Sequence, residues 1–215
     1  MCEMDRAPLR ERNKQRNFRR IVDAALELFH TIGYTQTTMD AIAQKAEVSR
    51  ATLFNYFPTK QALLMPIANK QYLERVQPEI QEYLDTQPST LQALRRLFMS
   101  IYEHVLTQPG IYHALQQEFF RHEPDAKEAG TGFFETLLTI LASGRLRDEV
   151  RTDIALEKIA HYVGALYVSQ LFHPLEQASE QTSFTTYTAE IDALLAFLKT
   201  ALSPGTAAGE KMKDL

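Results

Sequence analysis

Cysteine is almost missing from this sequence: Cys2 is the only one among 215 residues. No internal disulfide can form, and a reducing compartment is the expectation. Long apolar runs are missing too, since no stretch approaches the roughly 18 residues needed to cross a bilayer. The N-terminal arginines are not followed by an apolar segment, so a secretory leader is not expected. A soluble, cytoplasmic protein follows as the expectation. The six histidines are scattered, and His161 and His173 lack metal-ligand spacing. There is no glycine-rich phosphate loop and no nucleophile motif, so neither catalysis nor a cofactor or metal is expected. Alternating strand patterns, repeats and low-complexity tracts are absent as well. An all-α fold is what remains.

Charge is unevenly placed. The whole chain has a formal net charge of -4. Residues 1–60 hold 10 Lys and Arg against 7 Asp and Glu, while residues 61–215 hold 13 against 20. A basic head on an acidic body confines contact with polyanions to the head.

Four segments follow from the pattern. Residues 1–16 contain Arg6, Arg10, Arg12, Lys14 and Arg16 with little apolar content. They read as a flexible arm, either a solvated tail or a contact to phosphates or the minor groove. Residues 17–58 form a three-helix head. Phe18, Ile21, Val22, Ala25, Leu28, Phe29 and Ile32 recur at steps of three and four, the signature of an amphipathic helix, with Gly33 as its C-terminal cap. Thr37 is expected to cap a second short helix. Ser49 caps a third, with Leu53 and Phe57 turned inward. Residues 59–202 form a larger helical body, and 203–215 a disordered tail. Pro66 and Pro78 fall within one long helical pattern starting at Lys60, which they are expected to bend or break.

Two short helices joined by a tight turn meet the requirement for a helix-turn-helix that reads the major groove. Its second helix would expose Arg50, Ala51, Thr52, Asn55 and Tyr56. Arginine can take guanine and asparagine adenine in bidentate contacts, and alanine or threonine can touch a thymine methyl. Hydroxyls, lysines and helix N-termini suit phosphates.

The run AALELFHTIGYTQTTMDAIAQKAEVSRATLFNYFPTKQALL, within residues 18–64, closely resembles the DNA-binding signature of the tetracycline-repressor (TetR) family. Ala24–Ala25, Leu28–Phe29, Gly33–Tyr34, Thr37–Thr38, Ile42–Ala43, Val48–Ser49, Leu53, Phe57, Lys60 and Leu63 carry that resemblance in order. A weaker echo lies in Gly144–Asp148 and in Gly164–Ala165. The resemblance implies base-edge contacts from Arg50, Ala51 and Asn55. It implies phosphate contacts from Thr38, Ser49, Thr52, Tyr56 and Lys60, although capping or solvation would also explain Thr38, Ser49 and Lys60. Three positions depart from the family pattern: Glu47 for the usual glycine of the turn, Phe54 for tyrosine, and Tyr56 for histidine. The operator is therefore not transferable from other members.

A single recognition helix reads few bases, so such heads work as symmetric pairs on palindromic DNA. The helix around His161–Phe172 is apolar almost all round, and the last helix is amphipathic. A homodimer interface is expected from Gly164, Val168, Leu171, Ile191, Leu194 and Leu198, and Leu194→Glu is expected to give monomers. An apolar ligand pocket is expected from Phe98, Tyr102, Ile111, Leu115, Phe119, Phe134, Leu138 and Tyr162, although for each of them core packing is the more ordinary reading. Glu103, His104, His113 and Glu118 are polar candidates beside it. The expected function is a repressor released from a palindromic operator by a small, largely hydrophobic effector. The alternative is a DNA-binding regulator without such a ligand, governed by a protein partner or by its own abundance.

Overall fold

The computed structural model describes residues 9–119, 131–172 and 180–204, and every regular element among them is helical. These are α1 (Leu9–Thr31), α2 (Met39–Lys45), α3 (Arg50–Tyr56), α4 (Leu64–Gln71), α5 (Gln77–Asp85), α6 (Thr90–Leu106), α7 (Pro109–Phe119), α8 (Thr131–Leu146), α9 (Leu156–Phe172) and α10 (Glu180–Leu202). A 3-10 turn, Gln61–Leu63, leads into α4, and a π turn, Tyr72–Val76, joins α4 to α5. No described helix is long and apolar enough to cross a membrane.

The helices form two compact units. One holds the chain up to Lys70 together with α7; the other runs from Gln71 to Thr107 and resumes at α8. This differs from a linear division after residue 58, because α7 returns to pack by the Gln61–Leu63 turn. Chain order alone does not reveal such a return.

In the first unit α1 begins well before its apolar stripe. Residues 9–16, expected as a flexible arm, are helical. The physical reason is local: no glycine or proline occurs from Leu9 to Ile32, and straight-chain residues lose little freedom in a helix. Glu11 in the first turn also suits the positive end of the helix dipole. Gly33 ends α1 with φ +86°, a conformation that needs no Cβ. Ile21, Val22, Ala25 and Phe29 are buried, as are Ile42, Ala43, Leu53 and Phe57 on the following helices.

The two prolines are accommodated differently. Pro66 lies in the first turn of α4, where a missing N–H leaves little unsatisfied. Pro78 is the second residue of α5, directly after the π turn. The wider bonding of that turn makes room for a residue that cannot donate. The segment from Lys60 is thus divided rather than simply kinked.

In the second unit Ser89 caps α6 through a capping box with Gln92. The following residue, Thr90, donates from its backbone N–H and its hydroxyl to Glu149 Oε2, both at 2.6 Å. Partial burial alone would raise the Glu149 pKa, but the hydrogen bonds from Arg147 and Thr90 outweigh it and hold the carboxyl down at about 2. A depressed carboxylate contributes stability that is fully present above its ordinary pKa and fades as pH falls through the folded value. Glu149→Gln should therefore reduce stability near neutrality and flatten its loss between about pH 4.5 and 2, read from denaturation midpoints across that range. The connection after α8 is also tied to α10: Arg151 N–H donates to the Leu202 carbonyl at 2.7 Å.

Candidate nucleic-acid interface

The head is built from its caps outward. Thr38, not Thr37, is the N-cap of α2, and its side chain accepts from the Ala41 N–H at 3.2 Å. Thr37 is buried instead and donates its hydroxyl to the Gly33 carbonyl at 2.8 Å. Adjacent threonines offer the same capping chemistry, and burial of the first decides between them. Ser49 caps α3 as expected, accepting from the Thr52 N–H at 3.0 Å. Its hydroxyl also lies 2.8 Å from the Thr52 hydroxyl.

The turn between α2 and α3 keeps its left-handed residue although glycine is absent. Glu47 has φ +51°, which a side chain adopts at some cost, and its carboxylate pairs with Arg20 of α1. The ion pair thus engages the side chain that makes this conformation costly.

Leu53 is fully buried and holds α3 down, while Arg50, Ala51, Phe54 and Asn55 are exposed and Thr52 and Tyr56 half-buried. The exposed set begins at the capped N-terminus, the end of a recognition helix that meets base edges. Arg50 is not loose. Its guanidinium lies 3.2 Å from Asp40 and 5.4 Å from the centroid of the Phe54 ring. An exposed pair of this kind is worth about 0–1 kcal/mol, little enough to exchange for a guanine edge.

Lys60 is placed differently from a lysine reaching for phosphate. Its ammonium donates to the carbonyls of Tyr34, Thr35 and Thr37, at 2.6, 3.2 and 2.9 Å. It also lies 4.4 Å from the Tyr34 ring centroid. Desolvation lowers its pKa. All three donors of an ammonium are thereby engaged in stitching the α1–α2 loop to the end of α3. Lys60→Met should lower stability by about 2 kcal/mol, the scale of hydrogen bonds from a charged donor. It should leave the salt dependence of DNA binding unchanged; chemical denaturation and a salt titration read the two effects.

The residues expected to line a pocket are divided between the two units. Ile111 and Leu115 are buried in the first unit, and the side chain of Phe119 is outside the described residues. Phe98 and Tyr102 are fully buried in the second unit. Phe98 stacks on Tyr167 at 4.1 Å and Tyr102 on Tyr187 at 3.5 Å. The Tyr167 and Tyr187 hydroxyls both donate to the Phe98 carbonyl. Tyr167 and Tyr187 were missed in the sequence, where no spacing links residues 20 apart on different helices. Phe134 and Leu138 are half-buried. Tyr162 is a correction: it is 50% exposed, because Ile159, Val163 and Tyr167 take the buried face of α9. His113 lies 3.1 Å from Gln117, its neighbour one turn on.

The pairing face also needs correction. Ile191, Leu194 and Leu198, with Leu171, are buried within the single chain, so they are core residues and not an open surface. Gly164 and Val168 are half-buried. The open sides of the same helices carry Tyr162, Ala165, Leu166 and Ser169 on α9 and Ala189, Ala193, Ala196 and Phe197 on α10. Phe197 is 60% exposed.

Two capped short helices, a tight turn between them and an outward polar face on the second have the geometry of a helix-turn-helix. Residues 21–65 match the family of bacterial regulatory proteins, tetR family. That match covers the helix-turn-helix segment, about a fifth of the chain, and the likeness to the TetR family is established for that segment. The chain is 31% identical over 74 residues to the fatty acid metabolism regulator protein of Bacillus subtilis, covering 33% of this chain and 38% of that protein. It is 32% identical over 99 residues to the repressor KstR of Rhodococcus jostii, covering 38% and 47%. The chain thus spans less than half the length of these curated relatives. Among solved structures it is similar to Thermus thermophilus FadR, a TetR-family repressor in complex with lauroyl-CoA. There the identity is 25%, the coverage 89% of this chain and 98% of that one, and the TM-score 0.70.

Proposed function

We propose that this protein is a repressor that binds a palindromic operator as a homodimer and leaves it when a largely hydrophobic ligand enters the body. The observation that carries the DNA-binding part is the exposed set Arg50, Ala51 and Asn55 on a helix whose N-terminus is capped by Ser49. Arg50 and Asn55 read base edges, and Ala51 meets a thymine methyl. Thr38, Ser49, Thr52 and Tyr56 hold phosphates, a role compatible with capping because both use the helix N-terminus.

Selection from a randomised duplex pool tests this reading. The wild-type protein should enrich a palindrome with half-sites about one helical turn apart, or a multiple of that spacing. Arg50→Ala and Asn55→Ala should each weaken binding to it by about 1–3 kcal/mol and relax choice at one position per half-site. Wild-type affinity in both variants would rule out this docking.

The ligand part draws on FadR, which holds lauroyl-CoA. A long acyl thioester is therefore the first effector class for this chain. A ligand can release DNA only by binding one spacing of the paired heads better than the other. Lauroyl-CoA should raise the thermal midpoint, because ligands that bind only the folded state stabilise it, and should lower operator affinity.

The aromatic stacks around Phe98 and Tyr102 favour a second reading, since they fill space that a ligand would need. In that reading no small molecule is sensed, and a protein partner or abundance sets repression. Acyl thioesters that leave both midpoint and operator affinity unchanged would decide for it.

A further inference from the structure

The charge of the head is not where its recognition helix is. Residues 9–20 hold six Lys and Arg against Glu11 alone. Residues 21–60 hold Lys45, Arg50 and Lys60 against Asp23, Glu27, Asp40 and Glu47. Each of those three cations is engaged: Lys45 lies 2.6 Å from Glu27, Arg50 3.2 Å from Asp40, and Lys60 donates to three carbonyls. Lys70 pairs with Asp23 at 3.3 Å, and Arg20 with Glu47. The helix-turn-helix proper is thus close to neutral and slightly acidic. Duplex DNA presents one negative charge for about every 1.7 Å of its axis, and a neutral reader gains little from that field.

The positive charge lies on an overhang. The Phe18 ring packs 5.3 Å from Phe57, the residue that ends α3. The nine residues before Phe18 therefore project past that contact by about 13 Å, at 1.5 Å per residue. Arg10 and Lys14 share the helical line of Phe18, at steps of four. Arg12 and Arg16, each two residues from them, lie on the far side of the helix, and all four are exposed.

We propose that this N-terminal overhang of α1 is the charged phosphate-binding element of the head, beside the neutral hydroxyl and N–H contacts of Thr38, Ser49, Thr52 and Tyr56. As a rigid helix it enters the phosphate field with cations on two sides, Arg10 and Lys14 on one and Arg12 and Arg16 on the other, so that at least one pair meets the backbone, and it supplies the sequence-independent, salt-sensitive part of binding. α3 then supplies choice of sequence with little net charge. The inference rests on the DNA-binding reading above and adds to it a division of labour between two helices.

The test uses the full chain and one duplex that the wild-type protein selects from a randomised pool. Binding is measured across a salt series for wild type and for a variant carrying Arg10→Gln, Arg12→Gln, Lys14→Gln and Arg16→Gln. Each phosphate contact contributes about 0.9 to the slope of log K against log salt. The variant's slope should be shallower by about 1.8 or more, and its ranking of single base-pair changes in the duplex should match wild type. A smaller change in slope, or an altered ranking, overturns the proposal. A companion with Arg10→Lys, Arg12→Lys and Arg16→Lys keeps the charge and should keep the wild-type slope. Equal loss in this companion also overturns the proposal, since shape and not charge would then be at work. Failure of the wild type to select any duplex removes the DNA-binding reading itself, and the proposal with it. Circular dichroism confirms that each variant remains helical.

Discussion

Leu194→Glu should unfold the second unit, whereas Phe197→Glu should leave it folded and the chain monomeric. The two residues lie three apart on α10, yet Leu194 is 7% exposed and Phe197 60%. Burying an unpaired carboxylate costs several kcal/mol whether it stays charged or takes up a proton. The expected loss for Leu194→Glu is at least about 3 kcal/mol, a large share of the stability of a typical domain. Phe197→Glu removes an exposed ring and should change the stability of the single chain by less than about 0.5 kcal/mol.

Its effect belongs to the pairing step. Exposed apolar patches are candidate interaction surfaces, and the homodimer proposed above needs one. Tyr162 and Leu166 on α9 and Phe197 on α10 are large apolar residues left exposed, as are Ala165, Ala189, Ala193 and Ala196 on the same helices. A charge at the centre of a pairing face disfavours association strongly. Sedimentation or light scattering reads the mass, and denaturation reads the fold. A Phe197→Glu protein that remains dimeric would place the pairing surface elsewhere.

The second large effect is expected at Gly144. It lies in α8, two residues before the helix ends. A Cβ there would come within 2.1 Å of the Thr90 hydroxyl oxygen and 2.7 Å of Val150. Neither neighbour can easily yield. Thr90 is buried and holds Glu149 through two hydrogen bonds, and Val150 is buried beside it. By intrinsic propensity alanine would favour the helix over glycine by about 1 kcal/mol. Overpacking of a closed site costs about 1–3 kcal/mol, and the loosened Thr90–Glu149 bonds add to it. Gly144→Ala should therefore destabilise the protein by about 1–3 kcal/mol. Urea denaturation with an unchanged slope measures this directly. A stabilised variant would mean that helix propensity governs the site and that the close approach relaxes.

The head was readable because each of its signals is local: Gly33 after the α1 stripe, Ser49 before α3, Leu53 and Phe57 on one side of a short helix. Where two local solutions compete, only burial settles the choice, as at Thr37 and Thr38. Glu47 was recognisable as a departure from glycine. Its solution, a left-handed residue paired with Arg20, depends on a partner 27 positions away. Lys60 was given a phosphate because its type and position allow one, while the three carbonyls that claim it belong to a distant loop.

In the body the difficulty has a different origin. α9 and α10 are apolar on more than one side, so periodicity says that they are covered without saying by what. The pattern allows Ile191, Leu194 and Leu198 to face a partner, and they fill the chain's own core. The same pattern allows Tyr162 to face inward, and it is 50% exposed. Gly144 carried its meaning in Thr90, 54 positions earlier, where no pattern along the chain could register it.

The paired tyrosines of the second unit have an optical consequence. The protein has nine tyrosines and no tryptophan, so its ultraviolet emission comes from tyrosine without a brighter indole to mask it. Tyr102 and Tyr187 are stacked at 3.5 Å, and the Tyr187 hydroxyl lies 3.3 Å from that of Tyr167. Rings so close exchange excitation and quench one another, and buried hydroxyls bonded to carbonyls or to each other emit less than solvated ones. Any event that parts these rings brightens the unlabelled protein, so its body carries a built-in reporter of its own opening.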